Sequence, residues 1–217
     1  MEIDFAALSP HERYKMLSGF IIPRPIALVT SCDSGGRANA APFSFFNVFG
    51  EDPAVVALGF QRHPDGRPKD TERNIAETGE FVINMVDENL AGPMNFCAID
   101  FPEDVEETAI AGLSLESGHL VRPGRIAESP VAFECRHLQS IQFKPGRLLV
   151  LGEVVWMRVS DAVIDPQNMR VVDAAYHPVG RLYGDLYARQ GDRFALRRQT
   201  YGEWQLQNRR KSSLSSL

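Results

Sequence analysis

Residues 44–75, SFFNVFGEDPAVVALGFQRHPDGRPKDTERNI, join a strand-like pattern to a loop rich in hydrogen-bond donors. The run AVVALGFQ predicts a strand that is buried on both sides or lies at a subunit boundary. The sequence KDTERNIAETG predicts a helix with Asp70 or Thr71 as its N-cap. Backbone N–H groups at a helix N-terminus attract an anion, and a cation and a hydroxyl strengthen that attraction. Lys69, Thr71 and Asn74 supply this set, so the segment predicts a phosphate site, with a solvated surface loop as the alternative.

The patterns on either side of this segment predict further strands and only a few helices. Ser9 and Glu12 form a capping box with Pro10 at the first helical position, which predicts a short first helix. A glycine at position 79 ends the helix after the donor-rich loop. Five further strands are predicted over 21–33, 33–50, 80–86, 131–143 and 147–160, with helices over 88–100 and within 102–113.

Strands follow one another along the chain, with helices inserted singly. This order favours an antiparallel barrel over a doubly wound parallel sheet. We therefore predict one mainly β domain over residues 19–200, preceded by a helical extension over 1–18 and followed by a tail over 201–217.

The composition excludes several classes of protein. Hydrophobic residues make up 44% and charged residues 24% of the chain, and a net charge of −5 argues against a nucleic-acid binder. No apolar run approaches the roughly 20 residues of a membrane span, and the N-terminus lacks the apolar core of a signal peptide. Three cysteines, Cys32, Cys97 and Cys135, do not form a disulfide framework. We expect a cytoplasmic protein that binds neither nucleic acid nor membranes.

A second candidate binding strip lies in VTSCDSGGRANAAPFSFFNVF. Thr30 and Ser31 end a strand, and alanines then alternate with polar and aromatic residues. Small side chains allow a flat ring to approach the backbone, whose amides satisfy its polar edge. Phe45 and Phe46 cannot both face the core, because neighbouring residues on a strand point to opposite faces. One of them points to solvent, a partner or a ligand; a core strand packed by its aromatics is the alternative.

These segments together resemble the flavin reductase-like family of FMN-binding split barrels. The resemblance extends from about Gly19 to Arg197 and rests on RPIALVTSCDSGGRANAAPFSFF, DPAVVALGF, KDTERNIAETGEFVINMV, SPVAFECRHLQSI and LVLGEVVWMRV. It implies a six-stranded antiparallel Greek-key split β-barrel with a few peripheral helices, and FMN bound at a homodimer interface. In such a protein the flavin carries the redox chemistry, so no catalytic side chain is expected.

The resemblance also implies which residues contact the cofactor. One segment contacts the flavin and ribityl chain, a second lies along the ring, and a third holds the phosphate. These residues are, in turn, Thr30, Ser31 and Cys32; Ala41, Pro42, Ser44, Phe45, Phe46 and Asn47; and Gly59, Phe60, Lys69, Asp70, Thr71 and Asn74. The segment RLYGDLY adds Arg181, Gly184 and Tyr187, but Tyr183 stands where the family usually has glycine, which leaves the size of the acceptor open.

The implied activity is that of an NAD(P)H-dependent flavin reductase. NADH or NADPH reduces bound FMN, which passes electrons to a flavin, a partner monooxygenase or a small acceptor; FAD is a second candidate flavin. His177 is the candidate nicotinamide contact, with His119 as another. No metal is expected, because Cys135 and His137 lack two further ligands nearby. The alternatives are a flavoredoxin-like electron carrier without NAD(P)H oxidation, a pyridoxamine phosphate oxidase-like enzyme, and a barrel that has lost its flavin.

Overall fold

The computed structural model describes residues 1–102 and 105–206, and it is mainly β. The helices are α1 (Pro10–Phe20), α2 (Asp70–Thr78), α3 (Ala91–Phe96) and α4 (Glu107–Ile110), and residues 201–206 are also helical. The strands are β1 (Arg24–Pro25), β2 (Ala27–Cys32), β3 (Ala38–Phe43), β4 (Phe46–Glu51), β5 (Ala54–Gln61), β6 (Glu80–Met85), β7 (Leu115–Glu116), β8 (Arg125–Ile126), β9 (Val131–Lys144), β10 (Arg147–Val159), β11 (Ile164–Asp165), β12 (Arg170–Val171), β13 (Val179–Arg181) and β14 (Tyr187–Arg189).

The main sheet is antiparallel and has the strand order β3-β2-β6-β9-β10-β5-β4. Its two edges, β3 and β4, are consecutive in the chain, and only Ser44 and Phe45 lie between them. Three virtual bonds from Phe43 to Phe46 span at most roughly 11 Å. The sheet must therefore curl until its edges meet, which closes it into a barrel. The barrel prediction is confirmed, with seven strands in place of six because the segment predicted as one strand over 33–50 divides into β3 and β4.

The barrel interior is filled by one apolar cluster. Val29, Leu58, Phe81 and Val150 are almost fully buried there, each from a different strand. Ile75 of α2 belongs to the same cluster, so this helix packs against the barrel core. This packing fixes the position of α2 against the barrel. The position of its N-terminus therefore depends on the apolar side of the same helix.

A second apolar cluster covers the other face of β2. Leu28 packs there with Leu90, Met94 and Cys97 from α3 and the residues on either side of it. Alternate residues of a strand point to opposite faces. All six residues of β2 are buried because both of its faces are covered.

The predictions for the helix ends are confirmed in part. The capping box of α1 is confirmed, with the Ser9 N–H donating to Glu12 Oε2 at 2.8 Å. Gly79 ends α2 in the left-handed conformation, as expected. The N-cap prediction for α2 is wrong, because Lys69 has the extended backbone of the cap and Asp70 is already helical. The Asp70 carboxylate instead accepts a bond from Arg73 at 2.5 Å.

Several short elements were not predicted. The hairpins β7–β8 and β11–β12 each pair only two residues, too few for a sequence pattern to show. The helix expected over 88–100 is reduced to α3, and the short helix expected within 102–113 is α4. The basic end of the expected tail, from Arg209, lies outside the described residues. Within residues 1–102 and 105–206, no helix combines the length and apolar character needed to cross a membrane.

Gly152 on β10 allows Phe81 to pack closely against the backbone of this strand. A Cβ atom at this position would lie 2.4 Å from Cζ of Phe81, which is fully buried. We expect Gly152→Ala to lower the free energy of unfolding by about 1–3 kcal/mol through overpacking. Urea unfolding followed by circular dichroism measures this change. Gly19→Ala is the control, because a Cβ there meets nothing within 4 Å; equal stability of the two variants would contradict the packing argument.

Candidate functional site

A cleft of about 290 Å³ lies where the two edges of the sheet meet. Strand β3, the link to β4, the end of β5 and the N-terminus of α2 form its walls. The segment after α3 and the start of α4 form the opposite side. The predicted residues that line it are Ala41, Pro42, Ser44, Phe45, Gly59, Lys69, Asp70 and Thr71. The structure thus brings together parts of the predicted ring segment and of the predicted phosphate segment.

One end of the cleft is polar because the N-terminus of α2 opens into it. The first intrahelical bond joins the Arg73 N–H to the Lys69 carbonyl, at 3.0 Å. The N–H groups of the first turn therefore have no acceptor within the helix. Within the described part of the chain, no side chain caps this end. Uncapped N–H groups beside the Lys69 ammonium are suited to a phosphate.

Two buried amide side chains connect this helix to β2 and β3. Asn39 Nδ2 donates to Thr71 Oγ1 at 2.9 Å, which leaves the Thr71 hydroxyl hydrogen free for another acceptor. Asn74 Nδ2 donates to Ser31 Oγ at 3.1 Å. Within residues 1–102 and 105–206, the buried Asn74 Oδ1 has no hydrogen-bond partner. Asn74 and Ser31 lie beneath the polar end and do not line the cleft.

The other end of the cleft is lined by small and aromatic residues. Phe45 is 47% exposed, and its carbonyl accepts the Gly59 N–H at 2.8 Å. A Cβ atom at Gly59 would lie 3.0 Å from the Phe45 Cβ, so glycine allows this close approach. Tyr14 of α1 lies beside Phe45, with a ring-centre distance of 6.1 Å. This end offers apolar surface for a flat ring.

Arg24 holds the link between β3 and β4 from behind. Its guanidinium donates to the carbonyls of Ser18, Ile21 and Leu182 at 2.5, 3.0 and 2.7 Å, and to Ser44 Oγ at 3.5 Å. All four acceptors are uncharged oxygens. Burial lowers the pKa of Arg24 below its ordinary value. This side chain joins α1, the link and the β13–β14 hairpin.

Acidic residues form the far side of the cleft, which sequence reasoning missed. Asp100, in the segment after α3, lies 3.4 Å from Lys69 Nζ and 3.7 Å from His63 Nδ1. Glu107 of α4 is partly buried, and burial raises the pKa of its carboxyl group, with a smaller contribution from the negative charge of Asp70. No sequence signal connects these residues to the donor-rich loop, because they come from remote segments.

Other residues of the predicted cofactor-binding segments lie outside the cleft. The Thr30 hydroxyl donates to the Gly124 carbonyl at 2.5 Å, and Cys32 is buried, with a thiol pKa raised by that burial. Phe60 belongs to the barrel core and Phe46 packs against it. Asn47 is exposed on β4, where its side chain accepts the Val48 N–H. Of the two neighbouring phenylalanines, Phe45 therefore faces the cleft.

The predicted C-terminal residues form a separate hairpin. Arg181 lies over the ring of Tyr187 at 4.6 Å and donates to the Gly184 carbonyl. None of these three residues lines the cleft of one copy, although the hairpin contacts Arg24 through the Leu182 carbonyl.

The two candidate nicotinamide contacts also lie away from the cleft. His177 is exposed, and its carbonyl accepts the Glu88 N–H. His119 stacks on Trp156 at 4.0 Å. Neither imidazole is among the cleft-lining groups.

Cys135 and His137 do not form part of a metal centre in the described structure. Cys135 is fully buried, and burial raises the pKa of its thiol. His137 Nε2 instead pairs with Ser140 Oγ at 2.9 Å. Within residues 1–102 and 105–206, no group of three or more His, Cys, Asp or Glu side chains is arranged to hold a metal.

Comparisons with known proteins agree with this fold. The family model described as "Flavin reductase like domain" matches residues 18–180, and the chain belongs to that family. The 2-nitrobenzoate 2-nitroreductase of Pseudomonas fluorescens is 38% identical, with a TM-score of 0.85 over 93% of this chain and 98% of that one. Nitrilotriacetate monooxygenase component B of Bacillus cereus is 31% identical, with a TM-score of 0.86 over 90% and 98%.

A more distant structure identifies the type of barrel. A protein with a split barrel domain from Shewanella frigidimarina is 20% identical, with a TM-score of 0.76 over 92% of this chain and 100% of that chain. At this identity the likeness concerns the fold alone. The split-barrel prediction is confirmed.

The raised pKa of Glu107 predicts a pH-dependent cost to stability. The ionised carboxylate is disfavoured in the folded protein, so stability falls as pH rises from below 4.5, the ordinary glutamate value, through the raised pKa. We expect Glu107→Gln to unfold about 1–2 °C higher at neutral pH, a modest effect because the carboxyl is only partly buried. Thermal unfolding of both proteins, followed at intervals of about one pH unit between pH 4 and pH 7, measures this difference in unfolding temperature.

The difference should vanish at the acidic end of that range. Glu77→Gln on the exposed face of α2 is the control and should change little. A Glu107→Gln protein that is less stable than the wild type at neutral pH would contradict the assignment.

Proposed function

We propose that this protein is an FMN-binding oxidoreductase in which NADH or NADPH reduces the bound flavin. The reduced flavin then passes electrons to a free flavin, a partner oxygenase or a small acceptor. The observation that carries the proposal is the combination, in one cleft, of an uncapped helix N-terminus beside Lys69 and a wall of small and aromatic residues from β3 and the link. FMN has the same two parts, a phosphate and a flat ring.

The residues present fit this cofactor. Lys69, the Thr71 hydroxyl and the first-turn N–H groups of α2 would hold the phosphate, with Asn39 fixing the orientation of Thr71. Ala41 and Phe45 would contact the ring, whose approach small side chains permit. When bound, the flavin supplies the hydride and electron transfer, and the side chains supply binding and orientation.

We also propose that the protein acts as a homodimer. Val48, Phe49 and Phe143 expose 66%, 68% and 69% of their surface, and a second copy would cover such apolar side chains. The cleft of one copy is at the lower end of the volumes that hold cofactors, roughly 300–1,000 Å³. A second copy would enlarge the binding surface. In this arrangement Arg181, Gly184, Tyr187 and His177 are proposed to contact the flavin or its reductant from outside the cleft described here.

The named relatives support two classes of acceptor. One is a reductase of 2-nitrobenzoate, and the other is a component of an oxygenase system. A nitroaromatic acid and a flavin-using oxygenase are therefore the acceptors to examine first. The proposed location is the cytoplasm, where reduced nicotinamide nucleotides are present.

The first experiment is an anaerobic absorbance titration of the purified, FMN-loaded protein with NADH and with NADPH. We expect the visible flavin bands to bleach with at least one nucleotide, because hydride transfer reduces the ring. Free FMN mixed with the same nucleotide is the control. Bands that persist with both nucleotides would contradict the reductase proposal and leave a flavin-binding electron carrier.

The phosphate site is tested by the double variant Lys69→Ala and Thr71→Ala. Charge-assisted hydrogen bonds are worth about 1.5–3 kcal/mol each, so FMN should bind about a hundredfold more weakly or worse. Fluorescence quenching on titration measures the dissociation constant. Riboflavin, which lacks the phosphate, should lose much less affinity.

Lys144→Ala, at the exposed end of β9, removes one cation that does not line the cleft and is the matched control. Unchanged FMN affinity in the double variant would exclude this end of the cleft as the phosphate site.

A further inference from the structure

Asp100 contacts the Lys69 ammonium and the His63 imidazole, two groups that a phosphate at this end of the cleft would also contact. Its carboxylate oxygens lie 3.4 Å from Lys69 Nζ and 3.7 Å from His63 Nδ1, and all three residues line the cleft. An anion at the N-terminus of α2 would be attracted to the same two groups. The carboxylate and the ligand would therefore compete for them.

The segment that carries Asp100 is fixed in the fold. Cys97 is buried in the second apolar cluster, so the chain is anchored three residues before Asp100. Turn hydrogen bonds follow, from the Ile99 N–H to the Phe96 carbonyl at 3.1 Å and from the Phe101 N–H to the Ile99 carbonyl at 3.0 Å. Asp100 itself is exposed, with 72% of its side-chain surface open to solvent. Its carboxylate is thus held near the cleft while its replacement should not disturb the core.

The other acidic groups of the cleft have different partners. Asp70 is paired with Arg73 at 2.5 Å, and Glu107 lies on the α4 side with a carboxyl pKa raised by burial. Within residues 1–102 and 105–206, Asp100 is the carboxylate that contacts Lys69, the cation proposed to hold the phosphate. Its effect on a bound dianion is twofold, since it occupies the cation and repels the ligand.

We propose that Asp100 is a specificity-determining residue that weakens the hold on a terminal phosphate and so makes FMN an exchangeable ligand. This inference rests on the proposed function. A weaker hold on the phosphate would let reduced FMN leave the cleft, which is one route by which a partner oxygenase would receive the electrons. The penalty falls on the phosphate dianion and not on riboflavin, which carries no charge at that end.

The test compares wild type, Asp100→Asn and Asp65→Asn by fluorescence titration with FMN and with riboflavin, at low and high salt. Asp65 is the matched control, because it lies in the same donor-rich loop, pairs with Arg67 at 2.7 Å and does not line the cleft. Asp100→Asn should tighten FMN binding about three- to tenfold, mostly through slower dissociation, and leave riboflavin affinity within about twofold. High salt should reduce the gain, since exposed charges are screened.

The outcomes separate this inference from the function on which it rests. FMN binding that is equal or weaker in Asp100→Asn would overturn the role of Asp100 and leave the flavin site standing. An equal gain for riboflavin and FMN would also overturn it, because the effect would not concern the phosphate. A wild-type protein that binds neither flavin would overturn the proposed function itself.

Discussion

The closure of the sheet between β3 and β4 is the constraint on which the rest of the structure depends. Two residues, Ser44 and Phe45, connect strands that lie at opposite edges of a seven-stranded sheet. So short a link forces the edges together, and it leaves a seam where they meet. Along this seam the Gly59 N–H reaches the Phe45 carbonyl, and the small side chains of β3 lie open to a ligand. The cleft is therefore a consequence of how the barrel closes.

Helix α2 forms the polar half of the cleft, because one part of it packs in the barrel core while its first turn faces the cleft. Ile75 fills part of the barrel core, which fixes the helix axis. Its first turn then faces the cleft, uncapped, with Lys69 before it. Asn39 and Asn74 bond this helix to β3 and β2. Buried polar groups are costly unless they are paired, so these bonds hold the helix in one register against the sheet.

The sequence predicts the local elements of the site well and its remote members poorly. Lys69 and Thr71 are recognised because they lie at the start of a helical pattern, and Ala41 and Phe45 because small and aromatic residues are neighbours there. Asp100 and Glu107 are missed, since only the packing of α3 and α4 brings them to the cleft. Asn39 is also missed, although strand alternation places it on the same face as Ala41.

The predicted residues that fall outside the cleft show what a sequence motif does not determine, namely the direction of each side chain. A motif names consecutive residues, but a strand directs alternate side chains to opposite faces. Thr30 and Cys32 share a face of β2 that is covered by other elements, whereas Ser31 points toward α2. Phe46 likewise faces the core while Phe45 faces the cleft. The resemblance locates the segment, and the register of the strand decides which of its residues are available.

Arg24 explains how the apolar end of the cleft keeps its shape without a charged partner. Its guanidinium donates to the carbonyls of Ser18 and Ile21, which lie on either side of the last residue of α1. It also donates to the carbonyl of Leu182 in the distant β13–β14 hairpin. A guanidinium presents donors in a fixed planar fork, so each acceptor constrains the others. Ionic pairing would fix only one neighbour, whereas three carbonyls fix the end of α1 and the hairpin against the link that closes the barrel. The positive charge lies behind Phe45, with the guanidinium carbon 6.0 Å from the ring centre, at the apolar end of the cleft.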